Sequence, residues 1–193
     1  MPQLATHMLR VAGVGKLITD SWEDRELAHK SVKACLLHDL GNIAKFDLQN
    51  PMMNINNLPY WQEVQKEVWN KYGREAHAAT YAMLEELNLD EYVEYLKAEA
   101  KLYETENPSG LWQTTPRPAM VVLYADLRVI PSGVVGMEER ISDLEKRYGQ
   151  GRAEARWGEQ LEEYMQTLIS VNLREINEES VIPLFNELLT MTV

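Results

Sequence analysis

The sequence feature that most constrains the fold is the doublet His38-Asp39, which follows an apolar run and precedes Gly41. His7 and Asp126 stand in equally apolar surroundings, far from the doublet and from each other in the chain. Polar residues of these types are seldom buried unless they are hydrogen-bonded, paired or bound to a metal. The four residues together therefore predict a single site, formed where distant segments of the chain meet.

Helical spacing places three of these residues on apolar faces, because positions i, i+3, i+4 and i+7 lie on one side of a helix. The three stripes are Leu4, His7, Val11, Val14 and Ile18; Val32, Leu36, Asp39 and Ile43; and Ala119, Val122, Asp126 and Val129. No stripe contains Lys or Arg. A buried carboxylate without a partner costs on the order of several kcal/mol, so a bound divalent cation is the simplest remedy. Histidine nitrogens and carboxylate oxygens suit a borderline or hard ion.

Each residue taken singly has a simpler interpretation. A lone histidine on an apolar face is more often a hydrogen-bonded core residue than a ligand, and a lone buried aspartate is often a helix cap or a partner of arginine. Arg10 and Arg128 are candidates for that pairing. A doublet flanked by a histidine and an aspartate on separate apolar helices is nevertheless hard to obtain by chance, and the joint pattern favours metal binding.

The order of these residues resembles that of the HD-domain metal-dependent phosphohydrolases. The matching segments are His7-Met-Leu-Arg-Val-Ala, Leu36-Leu-His-Asp-Leu-Gly41 and Tyr124-Ala-Asp-Leu-Arg128, and the resemblance covers roughly residues 3–130. It implies an all-α bundle in which His7, His38, Asp39 and Asp126 converge on one divalent ion. It also implies hydrolysis of a phosphate ester, often of a nucleotide, although some members have other activities or none known.

The chain departs from the family pattern at two places. Many relatives read His-Asp-x-Gly-Lys, whereas Asn42 occupies the lysine position here. Lys45, two helical turns after His38, is either a phosphate contact or a solvated lysine at a helix end. His77 matches the first additional histidine of two-metal relatives, but the helix that follows contains no histidine and carries Glu99 on its apolar stripe.

Glu99 is compatible with four roles: an acceptor for a metal ligand, a general base, a ligand of a second metal, or a partner of a nearby cation. The missing histidine favours one bound ion over two, with His77 as an additional candidate ligand. The ligand set does not distinguish Mn, Fe, Co, Ni, Mg and Zn. We therefore expect one divalent ion and catalytic roles for Asp39, Lys45 and Glu99.

Length and composition fit a single domain of 193 residues, with an HD core at residues 3–130 and a C-terminal helical extension at residues 131–193. The formal net charge of −11 disfavours nucleic acid and anionic membranes as partners. The family resemblance implies a small phosphorylated substrate as the partner. No signal-like or membrane-spanning segment is readable, and the single Cys35 cannot form an internal disulfide. These features predict a cytoplasmic protein.

Helical patterns cover most of the chain, and two loops rich in breaker residues interrupt them. The predicted helices span about residues 3–19, 60–71, 73–88, 90–105, 119–130 and 138–148. A helix that starts after Asp24 joins or abuts the doublet helix, which ends near Phe46, a further helix after Gly151 runs to about residue 170, and a last one follows Asn177. The loops at residues 47–59 and 107–118 either border the site, with Arg117 as a phosphate contact, or are ordinary connectors. The helices beyond residue 136 either pack on the core or form a lid or a homodimer surface.

The predicted function is metal-dependent hydrolysis of a phosphate ester, in particular of a nucleotide such as a nucleoside monophosphate. The alternative is a catalytically silent HD domain that binds a metal or a nucleotide in a regulatory or interaction role.

Overall fold

The computed structural model of the chain describes residues 1–50, 55–149 and 153–192, and it confirms the predicted all-α class. The helices are α1 (Pro2–Thr19), α2 (Arg25–Leu37), α3 (Leu58–Tyr72), α4 (Ala76–Glu86), α5 (Asp90–Glu104), α6 (Arg117–Leu127), α7 (Met137–Tyr148), α8 (Ala153–Leu168), α9 (Glu178–Val181) and α10 (Phe185–Leu188). Short antiparallel strands β1 (Val129–Ile130) and β2 (Gly133–Val134) follow α6. Among the described residues, no helix is long and apolar enough to cross a bilayer.

Helix α6 forms the centre of the core because its sequence is apolar on every side. Every residue from position 118 to position 125 is buried. Helices α1 and α2 pack against α6 and against each other. Val11, Val14 and Ile18 of α1 are fully buried, as the predicted stripe requires. The close approach of α1 and α2 depends on Gly15, because a Cβ at that position would lie 2.8 Å from Cys35 Sγ.

The doublet follows the end of α2 and does not lie on an α-helix that continues to Phe46, so the prediction of a doublet helix ending there is wrong. Helix α2 ends at Leu37, and a 3₁₀ turn covers Leu40–Lys45. The backbone N–H of Gly41 donates to Thr80 Oγ1 of α4 at 2.9 Å, and a Cβ on Gly41 would lie 2.5 Å from a carbonyl oxygen of the same helix. Tight packing on α4 therefore diverts the chain directly after Asp39.

The other predicted elements are found with their ends shifted by a few residues. Helices α3, α4 and α5 correspond to the predicted helices at residues 60–71, 73–88 and 90–105. Residues 51–54, inside the predicted loop at 47–59, and residues 150–152, between two predicted C-terminal helices, lie outside the described part of the chain.

The C-terminal helices share the hydrophobic core of the HD segment. Their fully buried apolar side chains belong to the same cluster as those of α1 and α6, and they include Trp157, Leu161, Met165, Leu173 and Val181. Such contacts remove large apolar side chains from water on both sides, which is the main stabilising contribution in a folded core. The extension therefore packs on the core, as the simpler of its two interpretations predicted.

Arg128 joins the HD segment to the extension through a buried polar network. Its guanidinium donates to the carbonyl oxygens of Leu173 and Ile176, each at 2.8 Å, and also to the carbonyl of Val135. It lies 3.6 Å from the Glu162 carboxylate. Because buried polar groups are stable only when they are bonded, this network fixes how the extension meets the end of α6.

Candidate metal centre

The four predicted ligand residues meet beside the N-terminal half of α1. His7 lies on α1, His38 caps the C-terminus of α2, Asp39 follows it, and Asp126 lies in the last turn of α6. His7 Nε2 is 3.3 Å from His38 Nε2, 3.1 Å from Asp126 Oδ1 and 3.5 Å from Asp39 Oδ2. His38 Nε2 is 3.6 Å from Asp39 Oδ2 and 3.7 Å from Asp126 Oδ1.

These separations fit ligands of a common ion. Nitrogen and oxygen ligands bind small divalent ions at about 2.0–2.2 Å, so neighbouring ligands of one ion lie about 2.8–3.6 Å apart. Ligand atoms of His7, His38 and Asp39 all lie within 4.8 Å of one another. Asp126 does not belong to that set, but its Oδ1 is within the expected range of His7 and close to it for His38.

The backbone of α2 determines which nitrogen of His38 faces the cluster. His38 Nδ1 lies 2.8 Å from the carbonyl oxygen of Cys35. A carbonyl oxygen only accepts, so Nδ1 carries the proton and donates it, and in the neutral ring the lone pair is on Nε2. Metal-bound histidines are commonly oriented in this way, with the second nitrogen bonded to a carbonyl or a carboxylate.

When no ion is bound, the cluster stabilises the charged forms of both His38 and Asp126. Burial of the His38 imidazole works against its charged form, but the Asp39 and Asp126 carboxylates outweigh burial and raise the pKa of His38 to about 10. Burial likewise opposes ionisation of Asp126, yet hydrogen bonds from His38 and His7 hold the pKa of its carboxyl well below the usual range. The site therefore favours a positive charge, and the proton on His38 provides that charge when no metal is bound.

The two arginines offered by the sequence as partners for the aspartates are engaged elsewhere. Arg10 Nε and Nη2 bond to the Glu178 carboxylate at 2.9 and 2.6 Å. Arg128 donates to backbone carbonyls of the C-terminal extension. In the described part of the chain, neither guanidinium pairs with Asp39 or Asp126, so the simpler interpretation of these carboxylates as arginine partners does not hold.

A family model described as HD domain matches residues 4–126, more than half of the chain, and this range contains all four cluster residues. The chain belongs to the HD-domain family. Members of the family are generally metal-dependent phosphohydrolases and bind divalent metals. The matched range agrees with the resemblance read from the motifs over roughly residues 3–130. No curated protein and no solved structure matches the chain.

A cavity of about 420 Å³ lies beside the cluster of this HD domain, and His38, Asp39 and Asp126 form part of its wall. Its volume falls within the range of small-molecule sites. Lys45 and Glu99, predicted as catalytic, line the same cavity. Both residues therefore line one cavity together with three members of the cluster.

Glu99 has an environment unlike that of a surface carboxylate. Burial is the main cause of a pKa raised to about 8, the negative charges of Asp126 and Asp39 raise it further, and the charge of His38 opposes them. The charges of the cluster residues thus affect the pKa of Glu99. A carboxyl with such a pKa holds a proton over much of the neutral range, which is typical of groups that exchange protons in active sites.

Positions around the doublet differ in their access to the cavity. Asn42, which replaces the lysine of many relatives, is buried and lies away from the cavity wall, whereas the exposed Lys45 reaches it. His77 lines the cavity at an exposed position, with its ring edge-on to Tyr81. His29 is exposed and lies away from the cavity, as its charged neighbours in the sequence predicted.

The predicted loop at residues 107–118 does not line this cavity. Arg117, offered as a phosphate contact, instead lies over the ring of Trp22, with 5.7 Å between its guanidinium carbon and the ring centroid. Arg117 begins α6, at the end of that helix opposite to Asp126. Its position therefore places it away from the cluster.

Sequence reasoning missed two parts of the cavity wall. Tyr103 donates a hydrogen bond to Asp126 Oδ2 at 3.1 Å. Tyr103 lies four residues after Glu99 on α5, which places the two on one helix face, so a signal was available. The other part comes from α7, which supplies Arg140 and Arg147. Nothing in the charged sequence of α7 distinguishes the arginines that face the cavity from those that face solvent.

Proposed function

We propose that this HD domain is a metal-dependent phosphohydrolase for phosphomonoesters, with nucleoside 5′-monophosphates as the first substrates to test. The observation that carries the proposal is the exposure of His38, Asp39 and Asp126 to a cavity that also contains Lys45 and Glu99. Family membership supports the reaction class. The choice of a monoester rests on the positive groups of the cavity, which suit a small anion more than a neutral ligand.

His7, His38, Asp39 and Asp126 would hold the ion. A divalent ion bound there supplies an activated water and offsets negative charge on the phosphoryl group. The four side chains come from three separate segments of a packed core, so their arrangement is largely fixed before substrate arrives. Such preorganisation reduces the rearrangement that the reaction requires.

Lys45 is the proposed phosphate contact on the doublet side of the cavity. It ends the 3₁₀ turn that follows the doublet, and its side chain is exposed along the cavity wall. A flexible ammonium forms charge-assisted hydrogen bonds with phosphate oxygens without a fixed geometry. In a chain with a net charge of −11, such local positive charge is required for an anionic substrate to bind.

Glu99 is the proposed proton donor to the leaving oxygen. Its carboxyl lines the cavity, and burial, the largest cause of its raised pKa, favours the protonated form that can donate. A positioned acid of this kind contributes about 10²- to 10⁴-fold to the rate of a bond-breaking step. Its proton would pass to the ester oxygen as the bond to phosphorus breaks, and the released alcohol would carry it away.

We propose one bound ion rather than two. Among the described residues, a single group of three ligand-type side chains lies within 4.8 Å, and it includes neither His77 nor Glu99. Metal analysis tests this directly. Two equivalents per chain, with His77 and Glu99 both coordinated in a structure of the loaded protein, would contradict it.

The test of the function uses the full chain loaded with Mn, Co or Mg. The panel contains nucleoside monophosphates, cyclic nucleotides, nucleoside triphosphates and guanosine tetraphosphate, with phosphate release as the measurement. We expect turnover of monophosphates, its loss in Asp39→Ala and its retention in His29→Ala, which changes a histidine outside the cavity. Absence of turnover across the panel, with metal bound and the fold intact, would favour the catalytically silent binding domain.

A further inference from the structure

Helix α7 of the C-terminal extension forms one wall of the cavity beside the cluster. Its contributing residues are Arg140, Leu144, Arg147 and Tyr148. Their spacing of four, three and one places them on a single helix face. The extension therefore completes the pocket as well as the core, and it brings two guanidinium groups to a site that the HD motif alone does not supply with arginine.

Arg140 has an unsatisfied donor inside this wall. Its side chain is only 12% exposed, and its Nε is buried without a hydrogen-bond partner among the described residues. Among the described residues, its guanidinium has one ion pair, from Nη1 to Asp143 Oδ2 at 3.4 Å. A buried N–H without an acceptor costs about 1–3 kcal/mol, so an anion that accepts from this guanidinium would relieve that cost.

Arg140 also lies close to the cluster. Its positive charge acts on Tyr103, where it opposes the burial that raises the pKa of that phenol. Tyr103 in turn bonds to Asp126 Oδ2. Arg140 and Asp126 line the same cavity, so an anion in that cavity lies between the guanidinium and the cluster.

Asp143 holds both arginines of this wall. It pairs with Arg140 one turn before it and with Arg147 one turn after it. Arg147 is the more exposed of the two, and its guanidinium carbon lies 5.4 Å from the centroid of the Tyr148 ring. One carboxylate shared by two guanidinium groups orients them and leaves a net positive charge on this face of α7.

The remaining charge of the cavity matches a dianion. A bound divalent ion would offset Asp39 and Asp126, and Asp143 offsets one of the two arginines. Burial of Glu99, the largest cause of its raised pKa, does not depend on the ion and favours the uncharged form of this carboxyl. What remains is the charge of Lys45 and of one arginine, which suits the doubly charged phosphate of a monoester better than the singly charged phosphate of a cyclic diester.

We propose that Arg140 binds the phosphate group of the substrate within the cavity, and that Arg147 at the rim attracts the same anion. The inference rests on the proposed function, since it assigns the recognition of the phosphomonoester to a residue of the extension. The guanidinium of Arg140 lines the cavity, and its planar arrangement of several N–H donors suits the paired oxygens of a phosphate. The HD cluster thus provides the reaction centre, and α7 provides selectivity for the dianion.

The experiment measures binding of inorganic phosphate to the Mn-loaded full chain by calorimetry, together with kcat and KM for a nucleoside monophosphate. Arg140→Gln should raise the Kd for phosphate and the KM by about tenfold to a hundredfold, because it removes a charge-assisted contact. Arg140→Lys should lose part of the affinity, because it keeps the charge and loses the planar arrangement of donors. Arg147→Gln should have a smaller effect, about twofold to threefold, because that side chain is more exposed.

The matched control is Lys146→Gln, which removes one positive charge from an exposed position of α7 outside the cavity. Metal content and circular dichroism of every variant should equal those of the unchanged protein. If Arg140→Gln does not fold, Arg140→Lys decides the matter by the same measurements.

The possible outcomes distinguish a failure of the proposed Arg140 contact from a failure of the proposed hydrolase activity. Phosphate binding that weakens in the Arg140 variants, without turnover of any substrate, would support the inference and remove the proposed hydrolase activity. Turnover with Kd and KM values in Arg140→Gln and Arg140→Lys equal to those of Lys146→Gln would overturn the inference and leave the activity. Loaded protein that binds no phosphate would also overturn the inference.

Discussion

The hydroxyl of Tyr103 donates a hydrogen bond to Asp126 Oδ2 over 3.1 Å, and this bond leaves the other carboxylate oxygen, Oδ1, facing the histidines. The two residues lie on neighbouring helices, α5 and α6. Burial, followed by the charges of Asp126 and Glu99, raises the pKa of Tyr103 well above its usual value. The phenol therefore stays protonated and acts as a permanent donor that orients a proposed metal ligand.

Tyr103→Phe should weaken metal binding by about tenfold to a hundredfold, the usual effect of removing a group that orients a ligand. The ring remains, so packing against Trp157 should be kept. A competitive titration of Mn or Co against a chelator measures the change. The control is Tyr95→Phe, which loses a bond to Glu91 on the exposed side of the same helix. Equal metal affinity in both variants would contradict the orienting role.

Removal of the ion should destabilise the fold, because the cluster brings two carboxylates together between packed helices. A ligand present at about a hundred times its Kd stabilises the folded state by about 2.7 kcal/mol. For a chain of this size, that corresponds to a drop in Tm of about 5–10 °C on chelation. Thermal unfolding with chelator and with excess Mn measures it. The Asp126→Ala variant should show almost no response to the metal, and a response equal to that of the unchanged protein would exclude Asp126 as a ligand.

The stabilisation by metal should increase with pH. In the metal-free chain the pKa of His38 is raised to about 10, so the stability from its protonated form is complete below its unfolded pKa of about 6.5 and is lost as pH rises towards 10. The depressed pKa of Asp126 contributes stability that is present above its unfolded value and is lost on acidification. Because the ion competes with the His38 proton, its binding strengthens as pH rises.

The measurement is the difference in Tm between metal-loaded and chelated protein at several pH values between about 6 and 8.5. We expect the difference to grow across this range, partly because the Tm of the chelated protein falls as pH rises. His29→Ala should follow the same curve, since its histidine lies outside the cavity. A difference that is constant with pH would mean that the ion does not displace a proton from the cluster.

Much of the cluster could be predicted from the sequence, but not always for the right structural reason. His7 and Asp126 lie on helices with the predicted apolar stripes, so periodicity was sufficient for them. Asp39 was placed by a helical stripe that does not exist, because packing of Gly41 on α4 ends the helix before it. The family resemblance identified Asp39 correctly as a cluster residue because it depends on sequence order rather than on phase.

The α7 wall could not be predicted, because it depends on how distant segments pack. The pattern of α7 is that of an exposed amphipathic helix, and its arginines have no neighbours in the sequence that indicate a cavity. Only the packing of the extension on the core decides that Arg140 lies inside and Lys146 outside. Arg128 illustrates the same limit, since its acceptors lie at Leu173 and Ile176, more than forty positions later.

Arg128→Met should lower the free energy of unfolding by about 3–5 kcal/mol, since it removes the only charged group that satisfies several buried acceptors among the described residues around it. Leu173 O and Ile176 O would lose their donors, and the extension would lose its fixed contact with α6. The control is Arg174→Gln, whose largely exposed side chain pairs with the same Glu162 and should contribute at most about 1 kcal/mol. Denaturant unfolding of metal-loaded protein measures both changes. Similar losses in the two variants would show that the buried network does not hold the extension in place.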